Sequence, residues 1–312
     1  MSKTDMTKSS PATKKLVVLD FDNTLWDHLG SFERGIQRLI ADIRKETGCS
    51  FDQALDGITK VNTDVQAHMC PAIYRDHPEL LKKFGGKVPD HVSKRLETRH
   101  RLAQTHGSKR FEGVLQTIAQ LRREGARVVM FTEAKANRLV ERMAATGVGD
   151  VFDDIWCKPA DSGAAAVAKA KDGALVPMRV KGKGLDLRMK IMNDPSPKGH
   201  GRWLQRIMQV EGVSTAETVM VGDNLVRDVK LAQDLGVTGI FAGYGHRRLP
   251  NSHPFIRTVP TNWVRDAGDM FGEADKVKPD AVLKRFGQLV QHVRGPKPPA
   301  APKVDRRKLL QP

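Results

Sequence analysis

Cysteine is scarce, and the three present, Cys49, Cys70 and Cys157, are odd in number and far apart. That pattern excludes a disulfide framework and a clustered zinc site, and predicts reduced thiols. Aromatic residues make up only 5% of the 312 positions, so a surface that binds single strands by stacking has little to build on. Long apolar runs are missing as well. Stretches such as Leu16 to Leu19 and Thr218 to Val221 fall far below the ~20 residues that a membrane-crossing helix needs. The opening MSKTDMTKSSPATKK lacks the apolar segment of a secretory signal. A cytoplasmic protein with no membrane partner is the expectation.

Acidic residues are also in deficit, 36 against 52 lysines and arginines, which leaves a net charge of +16. Such an excess attracts polyanions, and a nucleic-acid partner is one way to use it. The surplus is uneven. Residues 251–312 hold 12 basic and 6 acidic side chains, and residues 161–198 hold 8 and 4, including the run MRVKGKGLDLRMK. That run reads as a basic loop insertion, either bordering an anion site or simply solvated.

What is present is an alternation of strand and helix. Residues 1–13 read as a flexible leader, and the buried strand Leu16-Val17-Val18-Leu19 follows with Asp20 at its exit. Similar runs recur at Val128 to Phe131, Thr218 to Val221 and Val237 to Phe241, separated by helical patterns. Phe111 to Glu124 carries Val114, Leu115, Ile118 and Leu121 on one face, and Trp203, Leu204, Ile207 and Met208 form another stripe. Strands alternating with helices predict an α/β fold with a doubly wound parallel sheet.

Residues 28–106 have a different texture and read as all-helical. Phe32, Ile36, Leu39, Ile40 and Ile43 repeat at helical intervals, and Ser50 with Gln53 makes a capping box before Phe51, Leu55, Ile58 and Val65. Inserted after a strand, such a segment stands over the carboxyl edge of the sheet, where α/β folds bind ligands. Residues 251–294 read as an extension with one helix near Asp280 to Val293, and 295–312 as a flexible basic tail.

Asp20 and Asp22 leave the first strand two residues apart, so an extended backbone turns both carboxylates to one side. Such a pair can hold a hard cation and supply a nucleophile and a proton donor. The segment DFDNTLW resembles the first motif, DxDxT, of the haloacid-dehalogenase-like superfamily of phosphohydrolases. The resemblance implies that Asp20 is the nucleophile, Asp22 the general acid and base, and Thr24 a support for the turn. Asn23 stands where that family commonly has Gly, and Asn tolerates the backbone angles required.

VVMFTEA resembles the second motif, which puts Thr132 on the substrate phosphate with Glu133 beside it. VMVGDNLVRD resembles the fourth, with Asp223 and Asp228 as its acids and Asn224 between them. A Mg²⁺ cofactor held by Asp20, the Asp22 main-chain carbonyl and Asp223 is what this resemblance implies, with Asp228 orienting the site from behind. The third motif requires a lysine. Lys198, 25 residues before Asp223, precedes the helix leading into that strand and is favoured, while Lys158 and Lys190 remain candidates. His91, His100 and His106 lack the i, i+4 spacing of paired ligands and read as surface or cap residues.

The implied architecture is a Rossmann-like core, over 14–27 and 107–250, with a helical cap at 28–106. The implied activity is phosphomonoester hydrolysis through an aspartyl phosphate on Asp20, acting on a phosphorylated small molecule. Dehalogenases of the family lack the acid two residues after the nucleophile, so Asp22 argues for phosphoryl transfer; nothing in the sequence signals a mutase. The rival readings are a nucleic-acid-binding or scaffold protein of the same fold, and a phosphatase for phosphorylated nucleic-acid ends.

Overall fold

The computed structural model describes residues 14–65, 71–149, 151–160, 175–182, 184–194, 196–247, 253–258 and 274–294. The leader 1–13, the tail 295–312 and Cys70 lie outside them. The architecture is mixed α/β around one sheet. Its strands are β1 (Leu16–Leu19), β2 (Arg127–Lys135), β3 (Asp154–Lys158), β4 (Leu175–Gly182), β5 (Leu185–Met192), β6 (Thr218–Gly222), β7 (Thr238–Phe241) and β8 (Ala281–Val282). They lie in the order β4-β5-β3-β2-β1-β6-β7-β8, and every neighbouring pair is parallel except β4 and β5.

The central strands are apolar throughout because both faces of the sheet are covered. Val17 and Leu19 with Val128, Met130, Val219 and Val221 face one layer. That layer is made by α6 (Val114–Arg123) and α7 (Ala136–Thr146). Leu16 and Val18 with Val129, Phe131 and Met220 face the other, where Trp203, Leu204 and Ile207 of α8 (Arg202–Glu211) pack. The switch of faces at every residue is the period of an extended chain. The turn after β1 brings Asp20 to the carboxyl edge next to β6, where the Asp20 N–H donates to the Val221 carbonyl at 2.9 Å.

Between β1 and β2 stand α1 (His28–Thr47), α2 (Phe51–Asp64), α3 (Ile73–Asp76), α4 (Pro78–Lys83) and α5 (Asp90–Thr105). Ile36, Leu39, Ile40, Ile43, Leu55 and Ile58 share a core of their own with Leu80, Val92 and Leu96. The Ser50 and Gln53 capping box starts α2. Phe51 and Val65, expected on the buried stripe, are exposed at the two ends of that helix. His100, expected at the surface, is buried, with Nδ1 2.6 Å from the Tyr74 hydroxyl.

Two segments differ from their sequence reading. The basic run expected as a loop pairs as the β4 and β5 hairpin at the sheet edge. Along β5, Leu187, Met189 and Ile191 point inward while Asp186 and Arg188 point out, and Arg179 forks onto Asp186 with two 2.6 Å bonds. Charges alternating with apolar residues bury one face of β5, and Arg179 puts charge on the edge strand β4, which discourages further pairing. The helix expected near Asp280 to Val293 is shorter, α9 (Leu289–Val293), and is preceded by β8 on β7. Leu283, Phe286, Leu289 and Val293 enter the sheet's core, so this segment packs with the α/β layer.

Candidate active site

Motif residues that follow β1 and β6 meet at the carboxyl edge, joined by Lys198 from the loop before α8. Asn23 takes a left-handed turn at φ 56°, one of the few non-glycine residues able to do so cheaply, and its Oδ1 accepts the Leu29 N–H at 2.9 Å. Thr24 is buried; its hydroxyl donates to Asp20 Oδ2 at 3.4 Å and its carbonyl accepts the Tyr244 hydroxyl at 2.6 Å. Gly245 closes over the same turn. A Cβ there would sit 1.6 Å from the Asn23 carbonyl oxygen.

Lys198 lies in a short helical turn before α8 and is almost fully buried. Its ammonium donates to Asp20 Oδ1 and, at 2.7 Å, to Asp228 Oδ1. Burial works against this charge, but Asp20 and Asp228 hold its pKa above the ordinary lysine value. Asp20 itself is pushed up to about 7 by burial, with Lys198 pulling it down and Asp228 and Asp22 adding to the rise. Asp223 is raised well above its ordinary range by burial and by Asp20 and Asp228.

Asp20, Asp223 and Asp228 each offer a carboxylate oxygen, all within 4.8 Å of one another. When all three carboxylates are ionised, the one ammonium leaves two negative charges uncompensated. That donor set fits a hard divalent cation, which prefers oxygen ligands. The sequence places Asp228 behind the site; it stands in the carboxylate cluster, where its Oδ2 also accepts the Asn224 N–H at 3.1 Å. Gly222 is required beside it, since a Cβ there would lie 2.1 Å from Asp228 Oδ2. Asn224 caps the next turn, accepting from Val226 and Arg227 N–H at 3.0 and 2.9 Å.

Two expected residues point elsewhere. The Asp22 side chain is absent from the carboxylate cluster and faces the helical segment. Trp26 Nε1 donates to its Oδ1 at 2.9 Å, Arg142 donates to its Oδ2 at 2.7 Å, and His28 Nδ1 lies 3.6 Å away. Burial opposes its charge, yet Arg142 and His28 outweigh burial and hold the carboxyl below its ordinary value. Glu133, expected at the phosphate, pairs with Arg227 and accepts the Lys198 N–H at 3.4 Å. A carboxylate would repel phosphate, and the guanidinium draws it away. Thr132 is buried, and its hydroxyl accepts the Ala134 N–H at 3.1 Å.

Of the other lysines, Lys190 on β5 pairs with Asp154 and lies 5.0 Å from the Trp156 ring centre, away from this edge. Lys158 ends β3, its pKa lowered by burial against the pull of Glu133. Sequence reasoning missed Arg142, Trp26, Arg227 and Asp194. Asp194 is buried and fixes the loop carrying Lys198, accepting from Ser196 N–H and Trp203 Nε1, each at 2.8 Å. A buried acid four residues before the lysine is the one signal that could have found it.

A family model for haloacid dehalogenase-like hydrolases matches residues 14–236. The chain belongs to that family. No curated protein matches it in sequence. Among solved structures, the magnesium-bound HAD-hydrolase YfnB of Bacillus subtilis is 13% identical, with 90% of this chain and 99% of that one covered at a TM-score of 0.50. A predicted phosphoglycolate phosphatase from Haemophilus somnus 129PT is 14% identical over 91% and 99%, at 0.48. A 2-haloacid dehalogenase from Pseudomonas syringae pv. tomato DC3000 is 16% identical over 89% and 97%, at 0.47. At 13% identity the likeness to YfnB shows the fold alone. No helix among the described residues is long and apolar enough to cross a membrane.

Proposed function

We propose that this hydrolase is a Mg²⁺-dependent phosphomonoesterase that forms an aspartyl phosphate on Asp20. The observation that carries the reading is the pairing of Asp20 with Lys198 inside a cluster of three carboxylates. Lys198 favours the anionic, nucleophilic form of Asp20 against the rise that burial imposes, and it offsets the charge of an incoming phosphate dianion. Asp20, Asp223 and the Asp22 carbonyl would hold the cation, with Asp228 beside them. When bound, it supplies electrophilic stabilisation of the phosphoryl oxygens. Asp20 attacks phosphorus as Asp22 protonates the departing oxygen; Asp22 then takes a proton from the water that cleaves the acyl phosphate, and Asp20 is regenerated.

Thr132 contributes its hydroxyl and neighbouring N–H groups to the phosphate. The expected substrate is a phosphorylated small molecule in the cytoplasm. Phosphate release from a panel of sugar, nucleotide, amino-acid and oligonucleotide phosphates, with Mg²⁺ and with EDTA, tests the reading. The expected result is Mg²⁺-dependent release that vanishes in Asp20→Asn. Halide release from a 2-haloacid without phosphate release would overturn it. Release confined to oligonucleotide ends would move the substrate class to nucleic acid.

A further inference from the structure

The resting position of Asp22 has a consequence for the substrate. A proton donor must reach the departing oxygen, yet both Asp22 oxygens are occupied, one by Trp26 and one by Arg142. Trp26, His28 and Arg142, the three side chains around Asp22, also line a cleft of about 570 Å³ between α1, α5 and α7. That volume suits a small organic group. The cleft therefore begins where a leaving group would depart.

Its lining carries an excess of cations, Arg101, Lys135, Arg138 and Arg142 against the carboxylates Glu97 and Glu141. Arg101 and Arg138 are both within reach of Glu141, at 2.6 and 3.6 Å. Lys135 stands three residues beyond Thr132, at the exposed end of β2. Arg142 pairs with Asp22, and the centre of the Trp26 ring lies 6.0 Å from its Cζ. Moving Arg142 off Asp22 toward a neutral group would leave the half-buried guanidinium without an anionic partner and Asp22 with only Trp26 and His28, whereas moving it to another anion exchanges one ion pair for another. A guanidinium fork suits a carboxylate or a phosphate equally.

We propose that this cleft selects phosphomonoesters whose leaving group carries a second anion, and that Arg142 exchanges Asp22 for that anion with Lys135 beside it. The exchange releases Asp22 Oδ2, with Trp26 still on Oδ1, so that Oδ2 can serve the departing oxygen. Arg142 is thus a specificity-determining residue, and the substrate itself completes the site. The proposal rests on the phosphatase reading, since only there must Asp22 serve the leaving group.

The test compares kcat/KM for propyl phosphate, 3-phosphooxypropanoate and propane-1,3-diol bisphosphate in the Mg²⁺-loaded full chain. The anionic esters should exceed propyl phosphate by about tenfold or more, chiefly in kcat, and the ratio should fall toward one in Arg142→Gln and in Lys135→Gln. The better of the two anionic esters identifies carboxylate or phosphate as the second charge. Arg142→Lys should restore part of the ratio. Turnover with a ratio near one in the wild type, or a ratio untouched by both glutamine variants, would overturn the proposal and leave the phosphatase reading standing.

A second arm needs no turnover. Calorimetric titration of Asp20→Asn with 3-phosphonopropanoate and with propylphosphonate should show tighter binding of the former, lost when Arg142→Gln or Lys135→Gln is added. If no ester is hydrolysed but this difference holds, the anion site stands and the phosphatase reading fails. Equal binding of the two phosphonates sinks the anion site. Lys135 is exposed at a strand end, so its variant keeps the test open if Arg142→Gln does not fold.

Discussion

Lys198 donates to Asp20 and to Asp228 at once, so a single buried ammonium ties the end of β1 to the turn after β6. Neither neighbouring strand could supply that link. It arrives from the loop before α8, which Asp194 holds through Ser196, Arg202 and Trp203.

Lys198→Ala is therefore expected to lower phosphate turnover by about 10²-fold or more, the scale of losing a preorganised charge contact. Lys158→Ala and Lys190→Ala should change it far less, because Lys190 is engaged with Asp154 and Lys158 lies beside Glu133. Steady-state rates for the three folded variants decide the matter. A crippled Lys158→Ala beside an active Lys198→Ala would move the catalytic lysine to β3.

The carboxylate cluster predicts a metal response. Mg²⁺ should raise the Tm of the wild type progressively, with the logarithm of its concentration above the Kd, because it relieves repulsion among Asp20, Asp223 and Asp228 only in the folded chain. In Asp223→Ala the apo protein should be no less stable than the wild type, and the Mg²⁺-induced rise should shrink. Scanning calorimetry with and without the ion measures both. An unchanged rise would remove Asp223 from the cation site.

Gly245→Ala probes the turn that sets Asp20. Its Cβ would overlap the Asn23 carbonyl oxygen at 1.6 Å, a backbone atom with no rotamer to retreat into. Overpacking of this kind costs about 1–3 kcal/mol, and here the strain falls on the residues around the nucleophile. We expect a lower Tm together with a loss of turnover. Gly212→Ala is the comparison, a helix C-cap at φ 65° with open space around it, where stability should fall and turnover per folded molecule should not. Equal turnover losses in both would mean that the Asn23 turn has no special hold on the site.

How far the sequence carried depended on what kind of physics fixed each residue. Asp20 and Asp223 leave apolar strands whose pattern is plain, so their convergence at one sheet edge followed from chain topology, whereas Lys198 was favoured over Lys158 and Lys190 only through the resemblance to the family's third motif. Arg142 left no such trace. It shares the polar face of α7 with Arg138 and Glu141, and only the approach of the helical segment selects it for Asp22. The β4 and β5 hairpin was hidden differently, because eye-catching charge masked the period-two order of Leu185, Leu187, Met189 and Ile191. β8 is two residues long, too short for any periodicity, and its place is dictated by β7.

His77 supplies a pH prediction independent of the catalytic residues. It is fully buried at the start of α4, with Nε2 2.9 Å from the Ala54 carbonyl and Nδ1 accepting the Glu79 N–H at 3.2 Å. That arrangement requires the neutral ring, since a proton on Nδ1 would destroy the cap. Burial lowers its pKa below the ordinary 6.5, against the opposing pull of the Ala54 carbonyl and Glu79. A depressed pKa gives stability that is present above pH 6.5 and lost as pH falls toward the folded-state value, because the unfolded chain takes up the proton first. His77→Asn keeps a capping oxygen and removes the titration. At pH 7 it should be less stable than the wild type by about 1–3 kcal/mol, the cost of a buried hydrogen bond and its unsatisfied partner. At pH 5 the gap should narrow, since only the wild type has lost the histidine's contribution, while acid effects elsewhere cancel between the two proteins. Urea unfolding of both at pH 7, 6 and 5 gives the gap directly. A gap that stays constant or widens with acid would mean that His77 is protonated in the folded protein, and the neutral cap assigned to α4 would have to be replaced by one in which the imidazolium finds an acceptor.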